Sequence, residues 1–403
     1  MIHALSRRAA LLGLGGAVML GRASLAVAAA PTERRFVVVL LRGAMDGMSA
    51  VVPYGDPALA SLRGALLAPE PGRDGGQMGA TLDLGGFYGL HPALANMHAM
   101  YAAGDLAVLH AVAGSYRSRS HFEAQDYLES GADHRMNSGW LNRVIGALPR
   151  TSGTSSQALA VGVSVPLLLR GPALVASWAP QSFITPAPDL YARIAQLNQA
   201  DKVTGPAIAA GLKERGFVGI ALENGALPGG EKGGARFGFP ALAGAAGKLM
   251  ADPNGPRIAA LEIDGWDTHS AQVNRLTGPL KQLDAGLLAL KSALGPAWRQ
   301  TIVLVMTEFG RTARVNGTGG TDHGTGTAAF VAGGAVLGGR VIADWPGLGA
   351  GRLLDDRDLQ PTTDLRAVVK GLLGPHLAFT TAALGGVFPD SRSVQPMEKL
   401  IRI

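Results

Sequence analysis

The chain has 403 residues, 36 Lys and Arg against 30 Asp and Glu, a formal net charge of +6, 47% hydrophobic residues and no cysteine. Without cysteine there is no disulfide, thiolate metal ligand, cysteine nucleophile or lipidated N-terminal cysteine, so any metal must be held by oxygen and nitrogen. No Lys/Arg run interleaved with aromatic residues occurs, which sets nucleic acid aside as an expected partner.

Taken from the start, Ser6-Arg7-Arg8-Ala9-Ala10-Leu11-Leu12 opens an apolar stretch that ends near Leu20. It reads as a twin-arginine export signal, with the twin-arginine translocase as partner and the folded chain as cargo. Gly13, Gly15 and Gly16 interrupt a stretch already short for a bilayer, and Ala26-Val27-Ala28-Ala29-Ala30 suits signal cleavage. The mature chain is therefore expected to begin close to Pro31, to lack a stable membrane span and to work in the periplasm or outside the cell; a retained anchor is the alternative. Arg7, Arg8 and Arg22 belong to the signal, so Lys plus Arg falls from 36 to 33 against 30 acidic residues and the mature charge is about +3. The remaining length alone suggests two domains, and one large domain with an insertion is the favoured reading.

Phe36-Val37-Val38-Val39-Leu40-Leu41 is short, β-branched and unalternated, as in a strand buried on both faces. It runs into Arg42-Gly43-Ala44-Met45-Asp46-Gly47. A Gly/Pro-rich loop from Pro69 to Gly79, a helix from His91 to Ala103 and a second buried strand, Leu106 to Val112, follow. The polar turn Ser115-Tyr116-Arg117-Ser118-Arg119-Ser120 then feeds a helix from about His121 to Ser130, for which Ser120 and Glu123 form a potential capping box. Further strands are predicted at Leu159 to Val165, Arg257 to Ile263, Thr301 to Met306 and Thr327 to Ala332, with a long helix from Ser270 to Leu294. Strands alternating with helices predict an α/β, doubly wound, mostly parallel sheet. Between about 166 and 237 the prolines and Gly229-Gly230-Glu231-Lys232-Gly233-Gly234 weaken the pattern, predicting an inserted cap or subdomain.

Ligands of open parallel sheets bind beyond the carboxyl ends of strands, so polar residues just after strands converge even when distant in sequence. Asp46 follows the first strand, Ser118 to His121 the second, Asp267 and His269 the Arg257 to Ile263 strand, and Glu308 the Thr301 to Met306 strand. Asp322 and His323 lie in a glycine-rich loop, Gly317 to Gly326, returning from the same edge. Asp267 and His269 are two apart and project to one side of an extended segment. Asp46, Asp267, His269, Glu308, Asp322 and His323 are thus candidate ligands for a divalent ion, with Zn or Mn favoured by the imidazoles and Mg or Ca compatible with the carboxylates.

The chain resembles a family of exported, uncharacterised bacterial proteins, domain-of-unknown-function family 1501, grouped with the alkaline phosphatase and sulfatase superfamily. The resemblance rests on Leu41-Arg42-Gly43-Ala44-Met45-Asp46-Gly47, Ser118-Arg119-Ser120-His121-Phe122, Gly265-Trp266-Asp267-Thr268-His269, Glu308-Phe309-Gly310-Arg311-Thr312 and Gly320-Thr321-Asp322-His323-Gly324. At superfamily level it implies Asp46 as a first-strand ligand, Ser118 or Ser120 as nucleophile, Asp267 and His269 as a middle pair and His323 as a final histidine. It also implies an alkaline phosphatase-like fold. The chain departs from the pattern at Glu308-Phe309-Gly310, where Asp-His-Gly is usual and a phenyl ring cannot ligate.

The resulting expectation is a metal-dependent hydrolase or transferase acting on a phosphate or sulfate ester, carried by a small molecule or a polysaccharide. His121 would serve as general acid or ligand, and Arg42, Arg119 and Arg311 would bind the anion. The rival reading is a catalytically silent envelope binding or assembly protein, in which the carboxylates cap helices, Ser120 caps its helix and the arginines form ion pairs. His91, His98, His110, His134 and His376 carry no partnered motif, and Trp140 reads as core.

Overall fold

The computed structural model describes residues 33–72, 79–149, 157–162, 164–179 and 238–402. The export signal at 1–30 and most of the 166–237 stretch, namely 180–237, lie outside the described residues. Among the described residues, no helix is long and apolar enough to cross a membrane.

The strands in chain order are β1 (Arg35–Leu41), β2 (Val51–Val52), β3 (Leu82–Asp83), β4 (Gly89–Leu90), β5 (Leu106–Ala113), β6 (Ala158–Val161), β7 (Ala176–Trp178), β8 (Ile258–Ile263), β9 (Thr301–Thr307), β10 (Thr327–Ala332), β11 (Arg340–Ile342) and β12 (Thr363–Asp364). Nine of them form the main sheet, ordered β11-β5-β10-β9-β1-β8-β6-β7 with β12 also on β5; β2, β4 and β3 make a small antiparallel sheet. β1 is flanked by parallel partners, Leu41 standing opposite Ile263 on one side and Thr307 on the other. β10 is antiparallel to both β9 and β5. The Gly317 to Gly326 loop thus leaves and re-enters the sheet at one edge, where the carboxyl ends of β1, β5, β8 and β9 also lie. β7 falls inside the 166–237 stretch and pairs with β6, so this part of it extends the core sheet.

Both faces of the sheet are covered, which explains why its strands read as continuous apolar runs. Val37, Val39 and Leu41 face a cluster with helices Ala95–Ala102, Phe239–Ala251 and Gln272–Leu294. Phe36, Val38 and Leu40 point the other way, toward helices Trp140–Ala147, Leu365–Leu377 and Thr381–Val387. Trp140, fully buried, packs edge-on to Phe36 at 6.4 Å and tilted against Phe388 at 5.5 Å. Two rigid layers thereby fix the sheet edge on which the loops stand.

Candidate metal centre

The loops after β1, β8 and β9 are drawn together by close backbone approach. A Cβ on Gly43, whose φ is +118°, would sit 2.7 Å from Asp267 N, so glycine is required there on both steric and conformational grounds. Gly320 presses likewise on His269, where a Cβ would lie 2.3 Å from its carbonyl carbon. Arg311 closes the assembly from below. Fully buried, it donates to the carbonyls of Ala44 (2.8 Å), Gly43 (2.6 Å) and Thr321 (3.1 Å), and to Asp267 Oδ1 at 2.5 Å.

Three imidazoles meet at Asp267. His121 Nε2 lies 3.6 Å from Asp267 Oδ1, His323 Nε2 3.7 Å and His269 Nε2 3.0 Å. Ligand atoms of His121, Asp267 and His323 all fall within 4.8 Å of one another. His269 stands beside this group, its Nε2 2.9 Å from His323 Nε2.

Each ring is aimed by its other nitrogen. His121 Nδ1 lies 2.8 Å from Glu308 Oε1, His323 Nδ1 2.9 Å from the Arg119 carbonyl and His269 Nδ1 3.3 Å from Asp322 Oδ1. These partners only accept, so each Nδ1 serves as the donor and Nε2 is the nitrogen left toward the centre. Two lone pairs facing each other at 2.9 Å repel unless a cation or an extra proton lies between them. His121 Nε2 is buried without any hydrogen-bond partner. An orphaned buried nitrogen and converging ring nitrogens fit a divalent ion, and a carboxylate or carbonyl behind each imidazole is the usual second tier of such a centre.

The carboxylates divide by role. Glu308 is buried and does not face the centre: its oxygens accept from Gly43 N (2.9 Å), His121 Nδ1, Gln125 Nε2 (3.0 Å) and Thr307 Oγ1 (2.7 Å). Burial opposes its ionisation, but these hydrogen bonds outweigh burial and hold its carboxyl down at about 2. Asp322, half exposed, is held below the usual carboxylate range chiefly by the Asn316 amide at 3.0 Å, then by His269. Asp267 is also held low: partial burial works against ionisation and Arg311 overcomes it. His323 is lowered, first by burial and then by neighbouring positive groups, which keeps it a neutral donor.

Several sequence-derived assignments change. Asp46 does not join the centre; it is buried against Arg63 in an ion pair, with Ser49 Oγ at 2.7 Å and Gln272 Nε2 also donating. Burial raises its pKa, and the Arg63 charge more than reverses this, leaving it low. Glu308 and Asp322 stand behind imidazoles and are not themselves brought to the ion site. The three arginines are already paired. Arg42 pairs with Glu129 at 2.6 Å and with Glu262; Arg119 pairs with Asp358 at 2.8 Å and Asp355 at 3.1 Å; Arg311 braces the loops.

Ser118 is exposed, and neither Ser118 nor Ser120 is hydrogen-bonded to a histidine or carboxylate of the centre among the described residues. Ser120 occupies the N-cap position without a side-chain cap bond, and Glu123 accepts from the Tyr116 hydroxyl, so no capping box is closed. Phe309, where an imidazole is usual, lies 4.9 Å from the His121 ring and 5.2 Å from His323, forming a dry wall with Ala44, Ala124 and Tyr116.

Sequence reasoning missed Gln125, Arg63 and Gln272. Gln125 had a readable signal: it follows His121 by one helical turn on the same face, and both reach Glu308.

Fold and site together define a mostly parallel α/β domain with a His/Asp cluster at the carboxyl edge of its sheet. The family described as "Protein of unknown function (DUF1501)" matches residues 107–385, and the chain belongs to that family. No curated protein matches. Among solved structures, one of Ps i-CgsB in complex with k-i-k-neocarrahexaose is 10% identical, with 91% of this chain and 75% of that one covered at a TM-score of 0.42. The zinc complex of the C-terminal periplasmic domain of EcEptC from Escherichia coli is 8% identical, with coverages of 77% and 75% and a TM-score of 0.34. A phosphonate monoester hydrolase of Agrobacterium radiobacter is 11% identical, with coverages of 76% and 70% and a TM-score of 0.28. At such scores these similarities carry nothing about substrate or mechanism.

Proposed function

We propose that the protein is an exported metal-dependent hydrolase acting on a phosphate or sulfate ester. One observation carries this reading: three imidazoles, each oriented through Nδ1, present Nε2 atoms around Asp267 Oδ1. Three nitrogens and one carboxylate oxygen, without thiolate, suit Zn best and Mn next. His121, His269, His323 and Asp267 would hold the ion, which when bound supplies Lewis acidity toward an ester oxygen and acidifies a nearby water or hydroxyl.

The chain's own contribution is orientation and exclusion of water on one side. Glu308, Asp322 and the Arg119 carbonyl fix the rings, Arg311 fixes Asp267, and Phe309 closes the inner wall. Asp267 and His269 remain 49% and 43% exposed, so an ester approaches across them. Among the described residues, neither serine is hydrogen-bonded to a histidine or carboxylate of the centre, which supports water as nucleophile. Ser6-Arg7-Arg8 and the alanine run after it support export.

A second reading, a silent binding or assembly protein with one structural ion, is favoured by the ion-paired state of Arg42, Arg119 and Arg311, since an anionic ester would find none of the three unpaired. A panel of aryl phosphates, phosphodiesters and sulfates separates the two. Metal-dependent turnover abolished by His323→Ala supports the hydrolase; a metal-loaded protein inert on the whole panel supports the silent reading.

A further inference from the structure

A cleft of about 340 Å³ opens beside the metal centre, on the outer side of helix His121–Ser130. Bonded and adjacent residues link the two. Gln125 lines the cleft and donates to Glu308, the residue that aims His121; Phe122, also in the lining, follows His121 directly; Arg42 precedes Gly43, whose N–H bonds Glu308.

Its lining has an unusual chemistry. Phe122 is 85% exposed, a whole phenyl ring presented to water next to a polar site. Around it the charges are balanced: Arg42 faces Glu129 and Glu262, and Arg135 faces Asp126 at 3.2 Å. Arg170 adds a further planar group, its Nε donating to the Val165 carbonyl at 2.8 Å. A pocket built for a second anion would carry surplus positive charge, and this one does not. Planar guanidinium and carboxylate groups, pre-oriented by one another, match vicinal hydroxyls as donors and acceptors. An exposed aromatic face matches the apolar C–H face of a sugar ring.

We propose that this cleft binds the sugar portion of a carbohydrate ester, with Phe122 stacking on a pyranose ring and the paired Arg and Glu side chains reading its hydroxyls, so that the substituent ester group reaches Asp267 and His269. The assignment rests on the hydrolase reading for its chemistry, whereas sugar binding itself does not require turnover.

The test uses the full purified chain and unesterified sugars: methyl glycosides of glucose and galactose and their short oligosaccharides, observed by saturation-transfer NMR. Saturation of ring protons by the wild-type protein, weakened about five- to tenfold by Phe122→Ala and kept by Phe122→Trp, supports the proposal. An unchanged melting temperature confirms that the exposed substitution leaves the fold intact. Absence of saturation transfer to every sugar, or transfer undiminished in Phe122→Ala, overturns it. Zinc titration of the same samples separates the two readings: zinc uptake without sugar binding overturns the cleft assignment alone, and sugar binding without zinc uptake upholds the cleft while overturning the hydrolase.

Discussion

Replacing Glu308 by Gln tests whether the carboxylate behind His121 builds the centre. The carboxylate is buried and accepts four hydrogen bonds, from Gly43 N, His121 Nδ1, Gln125 Nε2 and Thr307 Oγ1. Glutamine preserves the carbonyl oxygen facing the first three. Its NH2 meets Thr307 Oγ1, whose hydroxyl can give its proton to the Leu41 carbonyl 2.8 Å away and accept from the amide. The fold therefore survives at a cost of about 1 to 2 kcal/mol, the difference between charged and neutral acceptors. What is lost is the negative charge that holds the His121 ring and strengthens Nε2 as a donor. Removing such a partner lowers metal affinity roughly 10- to 100-fold, or about 1.4 to 2.7 kcal/mol. Competition for zinc against a chromogenic chelator, with a melting curve of the metal-free variant, reads both quantities. A well-folded Glu308→Gln protein whose zinc affinity stays within about twofold of wild type would show that His121 is not a ligand oriented by Glu308.

Three other outcomes are expected from the same geometry. Asp358, buried and bonded to Arg119, Thr325 and Arg357, holds the Arg119 backbone at φ +63°, from which its carbonyl aims His323; Asp358→Asn should cost about 1 to 3 kcal/mol in a melt and also weaken zinc binding in the chelator assay. Trp140→Ala, far from the centre, should cost about 3 to 5 kcal/mol by denaturant titration while leaving zinc affinity of the folded protein unchanged. Burial lowers His110 and His376 from 6.5 to about 4, so the folded state takes up fewer protons than the unfolded chain in that window. Stability should be complete above pH 6.5 and fall on acidification toward pH 4, on the order of 3 kcal/mol for each ring. Denaturant midpoints that stay flat across this range would contradict the neutral, buried state of both rings.

Much of the fold was readable because burial on both faces leaves an unmistakable mark. β1, β5 and β9 are buried from end to end and mostly apolar, and helix His121–Ser130 stands at its expected bounds. The edge strand β7, three residues long and only partly buried, left no such mark. At the site, position in sequence revealed which loops meet but not which side chain faces inward. Asp46 and Asp267 both follow strands, yet Asp46 is taken by Arg63, a partner 17 residues on in a short helix that sequence reasoning did not pick out. Likewise Glu308 sits one residue past β9 and points back toward Gly43 and His121, so it serves the imidazole instead of the ion. The arginines were legible as charges, but their carboxylate partners Glu129, Glu262 and Asp358 come from remote segments, and no local pattern announces them.

In the proposed centre, His121, His269, His323 and Asp267 hold one divalent ion. Elemental analysis of the purified full chain, wild type beside the His121→Ala/His323→Ala variant, tests it most directly. About one Zn or Mn per wild-type chain, lost from the folded variant, is the expected result. Wild-type protein without bound metal after incubation with zinc, or a double variant that retains full occupancy, would contradict it.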